Sequence, residues 1–270
     1  MAKKIREELE TMFEKLGIDY SHAGFYDTPA FKAIEKKAPA FIEAYAKYVD
    51  SLDFDEGYKQ RAQKCAMEAA EFLFKELIED GRRGACIDAS GVLQRILDRQ
   101  KVWNYLVGGG VRISFPSSSA IRDSYFWPLV HPDNPAKTGH AWLCAPPFKV
   151  LDITLPIQPY PPKVAAYFNG FIAMEECSKY EAVAGDLYEN ELVELVIERT
   201  GKPPTLENLA PRQKQFMGTF PSFGVGYAEL ALKYIPMQIS AIDSDLEEMR
   251  NLCLSGMYPL ELYKKFLRTR

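Results

Sequence analysis

Residues 81–96, GRRGACIDASGVLQRI, and residues 138–155, TGHAWLCAPPFKVLDITL, decide how this chain reads. In the first stretch Cys86 precedes a pattern in which Ala89, Val92, Leu93, Ile96 and Leu97 fall on one helical face. Cys86 therefore stands at the mouth of a helix. Unpaired N–H groups and the helix dipole favour a thiolate there, and the same amides can donate to a developing oxyanion. In the second stretch, 139–145 and 148–155 carry strand chemistry, with Pro146-Pro147 between them. Proline cannot reach positive φ, so these two residues cannot form the centre of a type I′ or II′ turn. A three-residue loop, 145–147, then pairs Cys144 with Phe148, Trp142 with Val150 and His140 with Asp152. Residues directly opposite share a face, with Cβ atoms about 5 Å apart. The order Cys86, His140, Asp152 thus reads as a nucleophile, its base and the group that orients the base.

Working outward, residues 3–16 show a helical stripe of Ile5, Leu9, Met12, Phe13 and Leu16, ended by Gly17. A second helix starts at Thr28-Pro29 and runs to about Tyr48, with a break at Pro39. A third runs from Asp55 to about Ile78, with a wide apolar face. Residues 102–115 read as a strand interrupted by Gly108, Gly109 and Gly110. Residues 116–137, which include Trp127 and His131, form a long Ser- and Pro-rich loop of the kind that carries function. After four prolines at 156, 159, 161 and 162, the pattern predicts helices at 186–200, 205–217, 226–234, 241–253 and 258–268. The expected division is an N-terminal helical extension (1–55), a catalytic core (56–160) and a mainly helical C-terminal region (161–270).

Composition narrows the function classes. The 270 residues are 47% hydrophobic and 26% charged, with net charge −4, as in a globular chain that buries a core. There is no positive field or basic tail for nucleic acid. No apolar run approaches membrane-spanning length. The first eight residues are too charged for a signal peptide, and five cysteines include no CxxC pair. A cytoplasmic, reducing location is expected. Cys65, Cys177 and Cys253 sit in apolar patterns and read as core, as does mid-strand Cys144. No ligand pair has metal spacing, and no metal or organic cofactor is expected.

Gly84-Ala85-Cys86-Ile87-Asp88, His140-Ala141-Trp142 and Asp152-Ile153-Thr154 resemble, in this order, the Cys, H-A-W and D-x-T motifs of the transglutaminase-like branch of the papain-like cysteine enzymes. Arg83-Gly84-Ala85-Cys86 is also similar to the arylamine N-acetyltransferases, although Asp152 here is followed by Ile-Thr-Leu rather than a glycine-rich turn. The resemblance implies an α+β fold: a papain/transglutaminase-like core in which the Cys-bearing helix packs on a small antiparallel sheet, with helices added at both ends. It implies a cysteine hydrolase or acyl transferase that attacks an amide of a peptide, isopeptide or glutamine side chain through a thioester. Transfer to an amine and a silent binding module of the same fold stand as alternatives. A protein or peptide is the expected substrate. Trp142, Gly109 and Arg83 are the candidate substrate-binding positions: Trp142 as a core residue walling the site, Gly109 as a kink or a place for substrate backbone, and Arg83 as positive potential beside the thiol or a solvated turn. No side chain upstream of Cys86 is identified as completing an oxyanion hole.

Overall fold

The computed structural model describes residues 2–128, 139–209 and 211–270. His131 and the end of the long 116–137 loop lie outside the described residues.

Three helices open the chain: α1 (Ala2–Lys15), α2 (Pro29–Glu35) and α3 (Ile42–Ser51). Pro29 occupies the first turn of α2, and the break expected at Pro39 is a short 3-10 turn, Pro39–Phe41. Next comes α4 (Glu56–Asp80), capped by the Asp55 carboxylate, which accepts from the Tyr58 N–H. Gly81 ends it at φ 71°, a left-handed conformation that glycine adopts without strain. Helix α5 (Cys86–Arg99) follows.

Eight strands form one antiparallel sheet: β1 (Tyr105–Ser114), β2 (Ser124–Phe126), β3 (His140–Ala145), β4 (Phe148–Asp152), β5 (Ile172–Met174), β6 (Ser178–Lys179), β7 (Phe223–Tyr227) and β8 (Leu230–Ser240). Their order is β5-β4-β3-β1-β8-β7-β6, with β2 also pairing with β1. Helices and one antiparallel sheet agree with the α+β class that the resemblance implies, but the sheet is larger than expected. Helices α4 and α5 cover one face through Leu93, Ile96, Leu106, Leu143 and Leu151. The N-terminal helices cover the other through Phe13, Tyr45, Val49, Trp142, Val150 and Tyr234. Residues 2–55 therefore close a second core. Among the described residues no helix is long and apolar enough to cross a membrane.

Two expectations for the C-terminal region fail. The helix predicted at 226–234 is strand: Leu230, Leu232 and Tyr234 are buried while Ala231 is exposed, the alternation of a pleated chain. Pairing with β1 over nine positions decides the matter against the helix-forming Ala, Glu and Leu of the segment. Residues 161–270 thus supply β5, β6, β7 and β8 beside their helices. Nor is 241–253 helical. Leu246, Met249 and Leu252 are spaced by three and buried, but an irregular segment buries them. The helices Asn190–Thr200 and Pro259–Thr269 lie at the expected positions, whereas two helices, Leu206–Leu209 and Pro211–Thr219, stand where one over 205–217 is expected. Among the cysteines, Cys65 and Cys144 are buried, whereas Cys177 is exposed and Cys253 half-buried, against the core expected for them.

The glycine run in β1 does not break the strand. It accommodates an irregularity in the pairing with β8 between Gly108 and Gly109. A Cβ on Gly109 would lie 2.1 Å from the Ile235 carbonyl oxygen, so close backbone approach demands glycine there. Gly109→Ala is expected to destabilise the fold by about 1–3 kcal/mol, seen as a lower urea midpoint. Gly170→Ala, where a Cβ meets open space, should stay within about 0.5 kcal/mol of wild type.

Candidate active site

Cys86 is the first residue of α5, and no side chain caps the preceding Ala85. The first-turn N–H groups of the helix are left to whatever occupies the adjoining cleft. The helix is pinned to the sheet behind the thiol. The Ser90 hydroxyl donates to the Ala141 carbonyl at 3.3 Å, and Gly91 is small because Ile242 lies across it, 2.4 Å from where a Cβ would be.

His140 opens β3 and Asp152 closes β4. Their side chains are wholly buried, and the His140 Nε2–H donates to Asp152 Oδ2 at 2.8 Å. The contact agrees with the expected shared face, but the register differs. The Pro146–Pro147 peptide is cis, as in type VI turns, which need no positive φ. The turn is therefore two residues long and pairs Ala145 with Phe148. A shift then pairs Leu143 with Leu151; one step on, Trp142 rather than His140 stands opposite Asp152. The shift restores the parity that the shorter turn removed. His140 and Asp152 become diagonal neighbours on one face, within reach of each other.

Asp152 is held on every side. Oδ1 accepts from the Thr154 N–H (3.0 Å), the Thr154 hydroxyl (3.3 Å) and the Leu155 N–H (2.9 Å), and Oδ2 also accepts from the Tyr234 hydroxyl (3.0 Å). The Asp-Ile-Thr motif is thus a turn that wraps its own carboxylate. The His140 ring is packed between Phe126, centroids 5.5 Å apart, and Trp142, 6.5 Å away and nearly parallel.

These neighbours set the charges. Burial pushes the Asp152 carboxyl up, but the imidazolium and the backbone N–H donors outweigh it and hold the group below the usual carboxylate range. Burial lowers His140, but the Asp152 charge and hydrogen bond, with coupling to Cys86, raise it to about 10. Burial raises the Cys86 thiol, yet hydrogen bonding and charge from His140 and the Ala141 N–H bring it below its ordinary value. The Nδ1 atom of His140 is buried and without a conventional hydrogen bond. With Nε2 committed to Asp152, it is the ring nitrogen available to the thiol. Both shifts run toward the charged pair, thiolate beside imidazolium. Cys144, by contrast, is pushed by burial up to about 12.

Cys86 and His140 share a cleft of about 490 Å³ whose walls include Ile87, Leu106, Met237 and Ile242. Apart from the Cys–His pair, no ionisable side chain among the described residues lines it. Its polar groups are the amides of Gln213 and Gln238 and the Ser240 hydroxyl. Gln238 of β8 lies opposite Gly108, with Nε2 2.9 Å from where a Gly108 Cβ would be. The missing side chain lets this amide rest over β1.

Of the three candidate substrate contacts, only Gly109 lines this cleft. Arg83 instead borders a hollow of about 170 Å³ with Pro156 and Ile157. Trp142 shares a face of β3 with His140, lies along its ring and borders a separate cavity. Tyr234, Phe126 and Gln238 went unrecognised in the sequence. The alternation around Tyr234 was the available signal; the other two are joined to the site only by strand pairing. Among the described residues no cluster of three or more His, Cys, Asp or Glu side chains could hold a metal ion.

Comparison with protein-family models, with curated proteins and with solved structures finds no match to this chain.

In Asp152→Asn the His140 ring keeps its burial but loses its counter-charge. Its pKa is expected to fall from about 10 to near or below 6.5, read by NMR of the ring protons. The raised value also carries a stability consequence. The contribution of His140 is full below about pH 6.5 and is lost as pH rises through about 10. The wild-type urea midpoint should decline across that window more steeply than that of Asp152→Asn.

Proposed function

We propose that the chain is a cysteine-dependent acyl-transfer enzyme in which Cys86 is the nucleophile, His140 the proton carrier and Asp152 the group that orients it. The observation that carries this reading is a buried His140–Asp152 pair, 2.8 Å apart, with its second ring nitrogen available to a helix-terminal thiol of lowered pKa. We read the helix α5 packed on β1, β3 and β4 as a papain/transglutaminase-like core, in keeping with the three sequence motifs.

In this reading the Cys86 thiolate attacks a carbonyl carbon, and the C=O electron pair moves onto oxygen. The Cys86 N–H at the start of α5 and the Gln238 side-chain amide donate to that oxyanion. The imidazolium gives its Nδ1 proton to the leaving amine as the C–N bond breaks, leaving a thioester on Cys86. His140 then takes a proton from water or an acceptor amine. That nucleophile attacks the thioester, and the thiolate is regenerated. Asp152 stays ionised throughout and keeps Nε2 protonated. The absence of charged walls in the described cleft favours an uncharged group around the scissile bond. A carboxamide, in a peptide link or a glutamine side chain, is the proposed substrate class.

Two measurements test the reading. Cys86 should be alkylated by iodoacetamide well below the ordinary thiol pKa of about 8.5, and His140→Ala should abolish that advantage. A wild-type Cys86 that reacts no faster than Cys253 would sink the proposal. The oxyanion role of Gln238 is read separately with p-nitrophenyl acetate, whose attack creates an oxyanion, whereas alkylation does not. Gln238→Ala should slow acylation about 100-fold and leave alkylation of Cys86 unchanged. Equal acylation rates would remove Gln238 from the mechanism without touching the triad.

A further inference from the structure

The cavity that Trp142 borders has about 510 Å³ and opens on the sheet face opposite Cys86. Its walls are mostly apolar and aromatic: Val107, Trp142, Phe220, Phe223, Pro236 and Ile239. This is the size and character of a small-molecule site. Its polar groups are few and mostly of one sign. Among the described residues Asp50, Glu175 and Glu176 face one cation, Lys149, a formal charge of three negative against one positive, −2. Two of the carboxylates are already oriented. Both oxygens of Asp50 accept from the Tyr105 hydroxyl at 3.0 Å, and Glu175 accepts from the Gln63 amide at 2.7 Å. Glu176 is exposed and makes no hydrogen bond or ion pair among the described residues.

We infer that this cavity is a second binding site, and that it takes a small hydrophobic ammonium ligand. The aromatic walls receive the apolar body and favour a nearby cation through their ring faces. The acidic rim holds the ammonium and repels carboxylates of the same shape. The ligand is not a second substrate of the thiol, because β1 and β3 stand between this cavity and the Cys86 cleft. It would nevertheless touch the backing of the triad. Trp142 lies along the His140 ring, and Phe223 stacks on Tyr234, centroids 5.7 Å apart, whose hydroxyl donates to Asp152. The inference stands on the cavity alone and does not require the catalytic reading.

Three probes with one ring system separate the contributions: tryptamine, 3-ethylindole and indole-3-propionate, titrated calorimetrically into the full chain at pH 7.5. Tryptamine should bind saturably, and at least tenfold more tightly than the acid, with the neutral probe between. Location is read by N-ethylmaleimide labelling and peptide mass spectrometry. Cys177 is exposed and lines the cavity, so tryptamine should slow its labelling at least threefold and leave Cys86 unprotected. Ile239→Trp fills the cavity and should abolish binding. Glu176→Lys changes an exposed side chain, takes the rim from −2 to 0, and should cut the preference for amine over acid at least threefold. The proposal is overturned by no saturable binding of tryptamine, by equal or tighter binding of the acid, or by protection that falls on Cys86 in place of Cys177. An unchanged preference in Glu176→Lys would overturn the role of the rim.

Discussion

The site depends on one buried ion pair, His140 with Asp152. Two charges placed side by side in a protein interior are costly unless each is paired and hydrogen-bonded. Here the carboxylate has the ring, the Tyr234 hydroxyl and the donors of its own turn. The ring has the carboxylate on one nitrogen and Cys86 within electrostatic reach. The raised imidazole and the lowered thiol are two consequences of the same arrangement. Neither follows from burial, which by itself would push both the other way.

The sheet is built so that this pair can exist. Strand β4 brings Asp152 beside His140, and β8 brings Tyr234 to the same carboxylate from the far side of β1. Helix α5 is held with its N-terminus at the head of β3. The glycines of β1 let β8 come close and let Gln238 lie inward. The two faces of the sheet then have different tasks. One carries the thiol and a cleft in which, apart from the Cys–His pair, no ionisable side chain among the described residues is a wall. The other carries the His140–Asp152 pair, packed by Trp142 and Tyr234, and holds the apolar cavity with its acidic rim.

The chain by itself was informative where the signal is local. Cys86 ahead of an apolar helical stripe, and two strands separated by Pro-Pro, are patterns within one element or one hairpin, and the structure has them where they were expected. The shared face of His140 and Asp152 also followed, although by a different route. The turn is one residue shorter than expected and the pairing shifts by one residue within the hairpin, so parity survived. Side-chain alternation has a period of two, which makes it sensitive to the sum of such changes and blind to each one.

What the sequence determined, then, is the thiol at a helix mouth, the hairpin carrying its imidazole and carboxylate, and the amphipathic N-terminal helices. All are set by hydrophobic periodicity, proline and capping over a few residues. Only the tertiary structure decided that 230–240 is a central strand, because its backbone is satisfied by β1, more than a hundred residues earlier. The same long-range pairing placed Tyr234 on Asp152 and Gln238 in the cleft. Trp142 and Arg83 both lie outside the cleft. Contacts of that kind depend on which hydrogen-bonding edge a distant segment finds, and no local pattern encodes that choice.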